Sequence, residues 1–352
     1  MEQKFSSLHD DVLHPLSKSL EYDPKKGYPN KYTDRGERGE NTIIMRLKQF
    51  GILEKDMQRL GVDNWLDINE GVYEKLMLEV LKKQYQTLFA SVYGRWTEMG
   101  LDQQRDLIEK ASRAYKHWGV SLIAGEGDSA PSLVTALEGA DVIREIGDVD
   151  WLYKQGIRSV MPQYGKPNAL AGSDGLTDLG KQVVRELFMR QVNVDLAHSN
   201  PNTRGGIIQI ARDLDSGKLL SYSHGARCSD IAKDNYFGFM SGERGLSDSE
   251  IKDVLEMGGI IGLGVSRPFF GSIDHLIETI DSVCQRKNGP QSLGLGTDFG
   301  GVSPALMVDG IRSVEDLNKI GEILAIRFGY PDSQIQAILK DNVTNWAKKL
   351  QK

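Results

Sequence analysis

The stretch 192-VNVDLAHSN-200 decides the fold. An apolar run of β-branched and leucine residues reads as a strand buried on both faces, and its last residue sits where that strand leaves a parallel sheet. Here that residue is His198. The same pattern recurs in 134-VTALEGAD-141, which delivers Glu138, and in 219-LLSYSHG-225, which delivers His224. A fourth run, 292-SLGLGTDFGG-301, delivers Asp298. In a (β/α)8 barrel the C-terminal strand ends carry the chemistry, so one Glu, two His and one Asp would converge there.

Working outward, apolar runs at 119–124, 133–138, 157–161, 193–198, 219–223, 259–265 and 292–297 alternate with helical patterns. Among the latter are 177-TDLGKQVVRELFMRQ-191, 247-SDSEIKDVLEMG-258 and 273-IDHLIETIDSVCQR-286. Ser247 followed three residues on by Glu250 forms a capping box. Repeated βα units imply a parallel sheet or barrel. The expected fold class is α/β, a (β/α)8 TIM-type barrel, with residues 1–352 as a single domain.

Upstream, residues 20–40 combine Pro, Gly and alternating charge with almost no aliphatic side chains, which marks a long surface loop. From Thr42 to about His117 apolar residues recur at three- and four-residue spacing, a helix-rich elaboration. Within it 86-QTLFASVYG-94 serves equally as a buried strand, because periodicity cannot arbitrate so short a run. The last 40 residues read as two amphipathic helices divided at Gly329 and Pro331 and packed on the barrel exterior.

The bulk properties exclude several classes. The chain has 352 residues, 39% hydrophobic and 26% charged, with no apolar stretch long enough to span a bilayer. Its net charge is −6, and no Lys/Arg cluster is interleaved with aromatics, so neither membrane nor nucleic acid is expected as a partner. Only Cys228 and Cys284 occur, in no CxxC pair, which fits a reducing compartment and gives no thiolate metal site. The first residues, MEQKFSSLHDDVLHPL, lack the apolar segment of a leader, and a cytoplasmic location is expected.

A carboxylate leaving an apolar strand must be solvated, paired or metal-bound. Taken singly, Glu138 serves equally as a helix cap or an arginine's partner, and His198 as a histidine bonded to a loop carbonyl. The shared placement of Glu138, His198 and His224 favours a metal such as Zn²⁺, since imidazole and carboxylate suit first-row ions and a carboxylate can bridge two of them. Asp298 facing those ions could carry a proton in general acid/base work. His117 and His275 read as structural. The glycines of 293-LGLGTDFGG-301 lack phosphate-loop spacing and imply close backbone packing at the barrel rim.

The ordered segments LEGAD, GIRSV, GLTDLGKQVVRE, VDLAHSN, SYSHG, RGLSDSEIKDVLEMGGIIGLG and LGLGTDFGG, across roughly 118–350, resemble the renal (membrane) dipeptidase family of zinc-dependent barrel peptidases. That resemblance implies hydrolysis of dipeptides by a hydroxide bridging two zinc ions. It makes Glu138 the bridging ligand, His198 and His224 the ligands of one ion, Asp298 the acid/base, and Arg244 the fork on the substrate carboxylate. Where the family has a substrate-contacting histidine, 161-MPQYGKPNAL-170 puts Tyr164, whose hydroxyl can donate to an oxyanion but carries no positive charge. The family's N-terminal His-x-Asp pair matches His9 and Asp11, with His14 competing, and without that pair a single ion would remain. The resemblance leaves room for a homodimer. Two other readings stay open: a related metal-dependent amidohydrolase acting on another small amide or ester, and a binding descendant without turnover.

Overall fold

Parallel strands close into an eight-membered barrel in the order of the chain, with the first strand seated between the eighth and the second. They are β1 (Phe5–Asp10), β2 (Tyr85–Tyr93), β3 (Ser132–Glu138), β4 (Ile157–Met161), β5 (Asn193–Asp195), β6 (Leu220–Tyr222), β7 (Ile260–Leu263) and β8 (Leu293–Leu295). The computed structural model describes residues 4–10, 47–60, 70–94, 96–117, 132–231, 242–302 and 304–351. The expected α/β barrel is therefore present.

The second strand comes from the ambiguous run after the helix α1 (Glu70–Gln84), and all but its two intermediate residues are buried. Burial on both faces removes the polar alternation that would have marked it as a strand. The apolar run at 119–124 lies outside the described residues, and the barrel closes without it. The expected strands at 193–198, 219–223, 259–265 and 292–297 are shorter than their apolar runs, and their last residues form the turns that leave the barrel.

Helices clad the barrel: α2 (Leu101–His117), α3 (Gly147–Lys154), α4 (Asp178–Met189), α5 (Pro201–Asp213), α6 (Asp248–Glu256) and α7 (Ile273–Cys284). Their apolar residues recur three and four apart and turn inward, as Val183, Val184, Leu187 and Phe188 do on α4. Side-chain caps start four of them. Thr177, Asn200, Ser247 and Ser272 each accept the backbone N–H three residues on, and each cap is worth about 1 kcal/mol.

The C-terminal segment departs from expectation. After α8 (Asn318–Phe328), Gly329 takes a left-handed φ of 70° and breaks the helix, but the chain then passes beneath the barrel. Thr344, on α9 (Asn342–Ala347), lies 3.0 Å by its hydroxyl from both Ser6 and Thr87, near the starts of β1 and β2. Asn342 donates to the Leu293 carbonyl at 2.8 Å, and the Trp346 ring packs on Phe89. An end of the barrel left open would expose strand-start polar groups without partners, and this segment supplies them.

Two glycines let the strand ends approach. A Cβ at Gly262 or Gly296 would fall 2.0 or 1.9 Å from the Ser223 carbonyl oxygen, which is backbone and has little freedom to retreat. Gly296→Ala is expected to destabilise the barrel by about 1–3 kcal/mol. A lower urea midpoint with unchanged slope checks this; an unchanged midpoint would show that the rim repacks freely.

Candidate metal centre and substrate anchor

Glu138 ends β3, in register with Tyr93 of β2 and Met161 of β4. His198 stands three residues past β5, and His224 two past β6. The ladder stops short at β5 because the buried Asp195 carboxylate accepts the N–H groups of Ala197 at 3.1 Å and Ser223 at 2.9 Å, drawing both strand ends into turns.

The three converge. His198 Nε2 lies 2.8 Å from His224 Nε2 and 3.3 Å from Glu138 Oε1, and His224 Nε2 lies 4.0 Å from the same oxygen. Among the described residues this is the group of His, Cys, Asp and Glu whose donor atoms all fall within 4.8 Å of one another. Its chemistry fits zinc: two imidazoles and one carboxylate, all at least partly buried, are the donors such an ion takes. The supporting contacts fit as well. Ser223 Oγ is 2.9 Å from His224 Nδ1, which holds the ring with Nε2 toward the centre, and Ser91 donates to Glu138 Oε2 at 3.3 Å.

Backbone conformation aims these residues. His198 has φ 61° and Asp298 φ 57°, while Gly139 and Gly225, directly after Glu138 and His224, have φ 87° and 157°. All four positions turn the chain through the left-handed region. For a non-glycine residue that conformation costs on the order of 1 kcal/mol, and it clusters at functional sites.

Asp298 is held from both sides. The Asp10 side chain, fully buried at the end of β1, accepts from the Thr297 hydroxyl and from Phe299 N–H at 3.0 Å. Gln49 accepts from Gly300 N–H at 3.1 Å and donates to the Val302 carbonyl at 2.9 Å. In the sequence Asp10 stands only as the spacer between His9 and Asp11. His9 lies on β1, a paired barrel strand, while its side chain, Asp11 and His14 fall outside the described residues.

Arg244 ends a short 3-10 turn, Gly242–Arg244, and its Nη2 lies 2.5 Å from His198 Nδ1 and 2.9 Å from His198 Nε2. The anchor expected from sequence therefore borders the cluster. Tyr164 stacks on the His198 ring, centroids 4.2 Å apart, and packs on Tyr93 at 5.0 Å. Burial, reinforced by the Glu138 charge, pushes the Tyr164 phenol well above its usual range, and Asp298 adds to the same effect. Tyr164 is thus a neutral hydrogen-bond donor at physiological pH.

Residues 232–352 match the model of the membrane dipeptidase family, peptidase family M19. The match covers the last two of the ordered motifs, RGLSDSEIKDVLEMGGIIGLG and LGLGTDFGG, and over that third of the chain the resemblance to the family holds. A metallo peptidase from Rhodobacter sphaeroides, bound to a phosphinate mimic of the dipeptide L-Ala-D-Ala, is similar in structure at 15% identity, with 99% of each chain covered and a TM-score of 0.69. Dipeptidase AC, a metallo peptidase of family M19, is similar at 16% identity, 98% of each chain and TM-score 0.68. An amidohydrolase from Pseudomonas aeruginosa is similar at 19% identity over 77% of this chain and 90% of its own, with TM-score 0.62. At such identities these likenesses concern the fold. No helix among the described residues is long and apolar enough to cross a membrane.

Proposed function

We propose that this chain, whose last third carries membrane dipeptidase sequence and whose barrel resembles those of two metallo peptidases, is a metal-dependent dipeptidase. The observation that carries the reading is the convergence of Glu138, His198 and His224 at the C-terminal barrel rim with Arg244 beside them. Those three residues would hold zinc, with His9 and Asp11 proposed for a second ion. Zinc supplies Lewis acidity, polarising the scissile carbonyl and acidifying water at neutral pH.

The remaining work falls to the chain's own groups. Arg244 forks onto the substrate's terminal carboxylate and fixes the peptide's direction. The Tyr164 hydroxyl donates to the carbonyl oxygen as negative charge develops there. Asp298 takes the proton of the attacking water and returns it to the departing amine nitrogen. We further propose that residues 1–352 act as one domain, in the cytoplasm, a setting that the unpaired Cys228 and Cys284 suit. A homodimer is compatible with this reading.

Purified protein is expected to carry zinc, to hydrolyse members of a dipeptide panel, to stop when chelated and to recover when zinc is returned. Protein that arrives without metal and stays inert after zinc addition would sink the proposal. A second reading, hydrolysis of another small amide or ester, draws on Tyr164 standing where the family has a histidine. Faster turnover of cyclic amides or esters than of any dipeptide would favour it.

A further inference from the structure

Arg204, in the first turn of α5, is 1% exposed and belongs to no reaction step above. An arginine rarely enters a protein interior without several fixed acceptors, because its charge must be compensated and each of its donors satisfied. Its acceptors are specific. Nε and Nη2 fork onto the Glu250 carboxylate at 2.6 and 3.2 Å. Nη1 donates to the Ser199 carbonyl at 2.6 Å and to the Glu243 carbonyl at 2.9 Å, while Nη2 donates to the Gly245 carbonyl at 3.0 Å.

Those carbonyls adjoin the residues that matter. Ser199 follows His198, and Glu243 and Gly245 flank Arg244. The Arg244 carbonyl is taken by the buried Tyr222 hydroxyl at 2.7 Å, so three consecutive carbonyls are held by side chains of the barrel and its helices. Gly245 also lies against residues 227–228 so closely that a Cβ there would fall 2.5 Å from the Cys228 nitrogen. The backbone beneath Arg244 is thereby pinned to the backbone beside His198 through one planar, rigid group.

We propose that Arg204, braced by Glu250, is the positioning residue for the carboxylate anchor: it fixes Arg244 relative to the ligand His198. The proposal rests on the dipeptidase reading for what Arg244 binds, and on the geometry alone for what Arg204 holds. A fork pre-set by a buried partner loses less freedom when substrate arrives, so its removal weakens binding of the carboxylate in particular.

The test compares the parent protein with Arg204→Met and with the double variant Arg204→Met/Glu250→Gln, which removes both charges while leaving Ser247 N–H a side-chain acceptor in the capping box, and so protects folding. Three quantities are measured in each: kinetics on a dipeptide, inhibition by that dipeptide's C-terminal amide, and hydrogen exchange of the amides at 243–246. Expected are a KM raised about 10-fold, within the range for charge-assisted hydrogen bonds, with kcat within about 3-fold and bound metal unchanged. Binding of the amide, which lacks the carboxylate, is expected to hold, and exchange at 243–246 to rise about 10-fold. Equal losses of dipeptide and amide binding, or exchange unchanged in both variants, would overturn the proposal. Parent protein inert to every dipeptide refutes the dipeptidase reading, whereas the exchange result still decides whether Arg204 holds the Arg244 segment.

Discussion

Replacing His224 by alanine is expected to abolish measurable turnover, with kcat/KM down by at least about 10³-fold. His224 supplies one of three donor atoms in the described cluster, so two remain, too few for a tight site. The Lewis acidity of a bound ion contributes several kcal/mol to hydrolysis, and each 1.36 kcal/mol is tenfold in rate. Metal bound after dialysis should fall in parallel. Retention of both metal and turnover by His224→Ala would remove the imidazole from the centre altogether.

Asp298→Asn should separate proton transfer from metal binding. The amide is nearly isosteric and takes the left-handed φ of 57° as readily as aspartate, so the rim turn survives. What disappears is the ability to accept a proton from water and return it to the amine. A loss in kcat of about 10²–10⁴-fold is expected, with metal content kept and KM little changed. The measurement is steady-state kinetics beside metal analysis of the same preparation. A variant within tenfold of the parent would mean that another group moves the proton.

The strands that lead to Glu138, His198, His224 and Asp298 were legible because burial on both faces leaves short, predominantly apolar runs, and each of these residues lies at or just beyond the end of one. The limits of those strands were less legible. Asp195 ends the β5 ladder by capturing Ser223 N–H, a contact between residues that only the fold makes neighbours. The strand β2 hid behind the helix-strand ambiguity of QTLFASVYG.

Glu250 shows a different kind of gap. Its spacing from Ser247 announced a capping box, and the structure contains it: Ser247 N–H donates to Glu250 at 2.8 Å. The same carboxylate also receives Arg204, and nothing in 201-PNTRGGIIQ-209 marks Arg204 as buried, since an arginine in a first helical turn is ordinarily solvated. Local patterns report local bonds. The coupling of α5 to the Arg244 turn is a tertiary fact, as is the hold of Asp10 on the residues around Asp298.

The left-handed backbone at His198 and Asp298 bears on how kindred barrels should be read. Glycine would take that conformation without strain, and it is the proposed reaction that needs an imidazole and a carboxylate at these two positions. A lineage that abandoned the chemistry would be released to place glycine at either position, gaining fold stability by the change. Glycine there, with the apolar strands intact, would be the mark of a barrel retained for its shape after its reaction was given up.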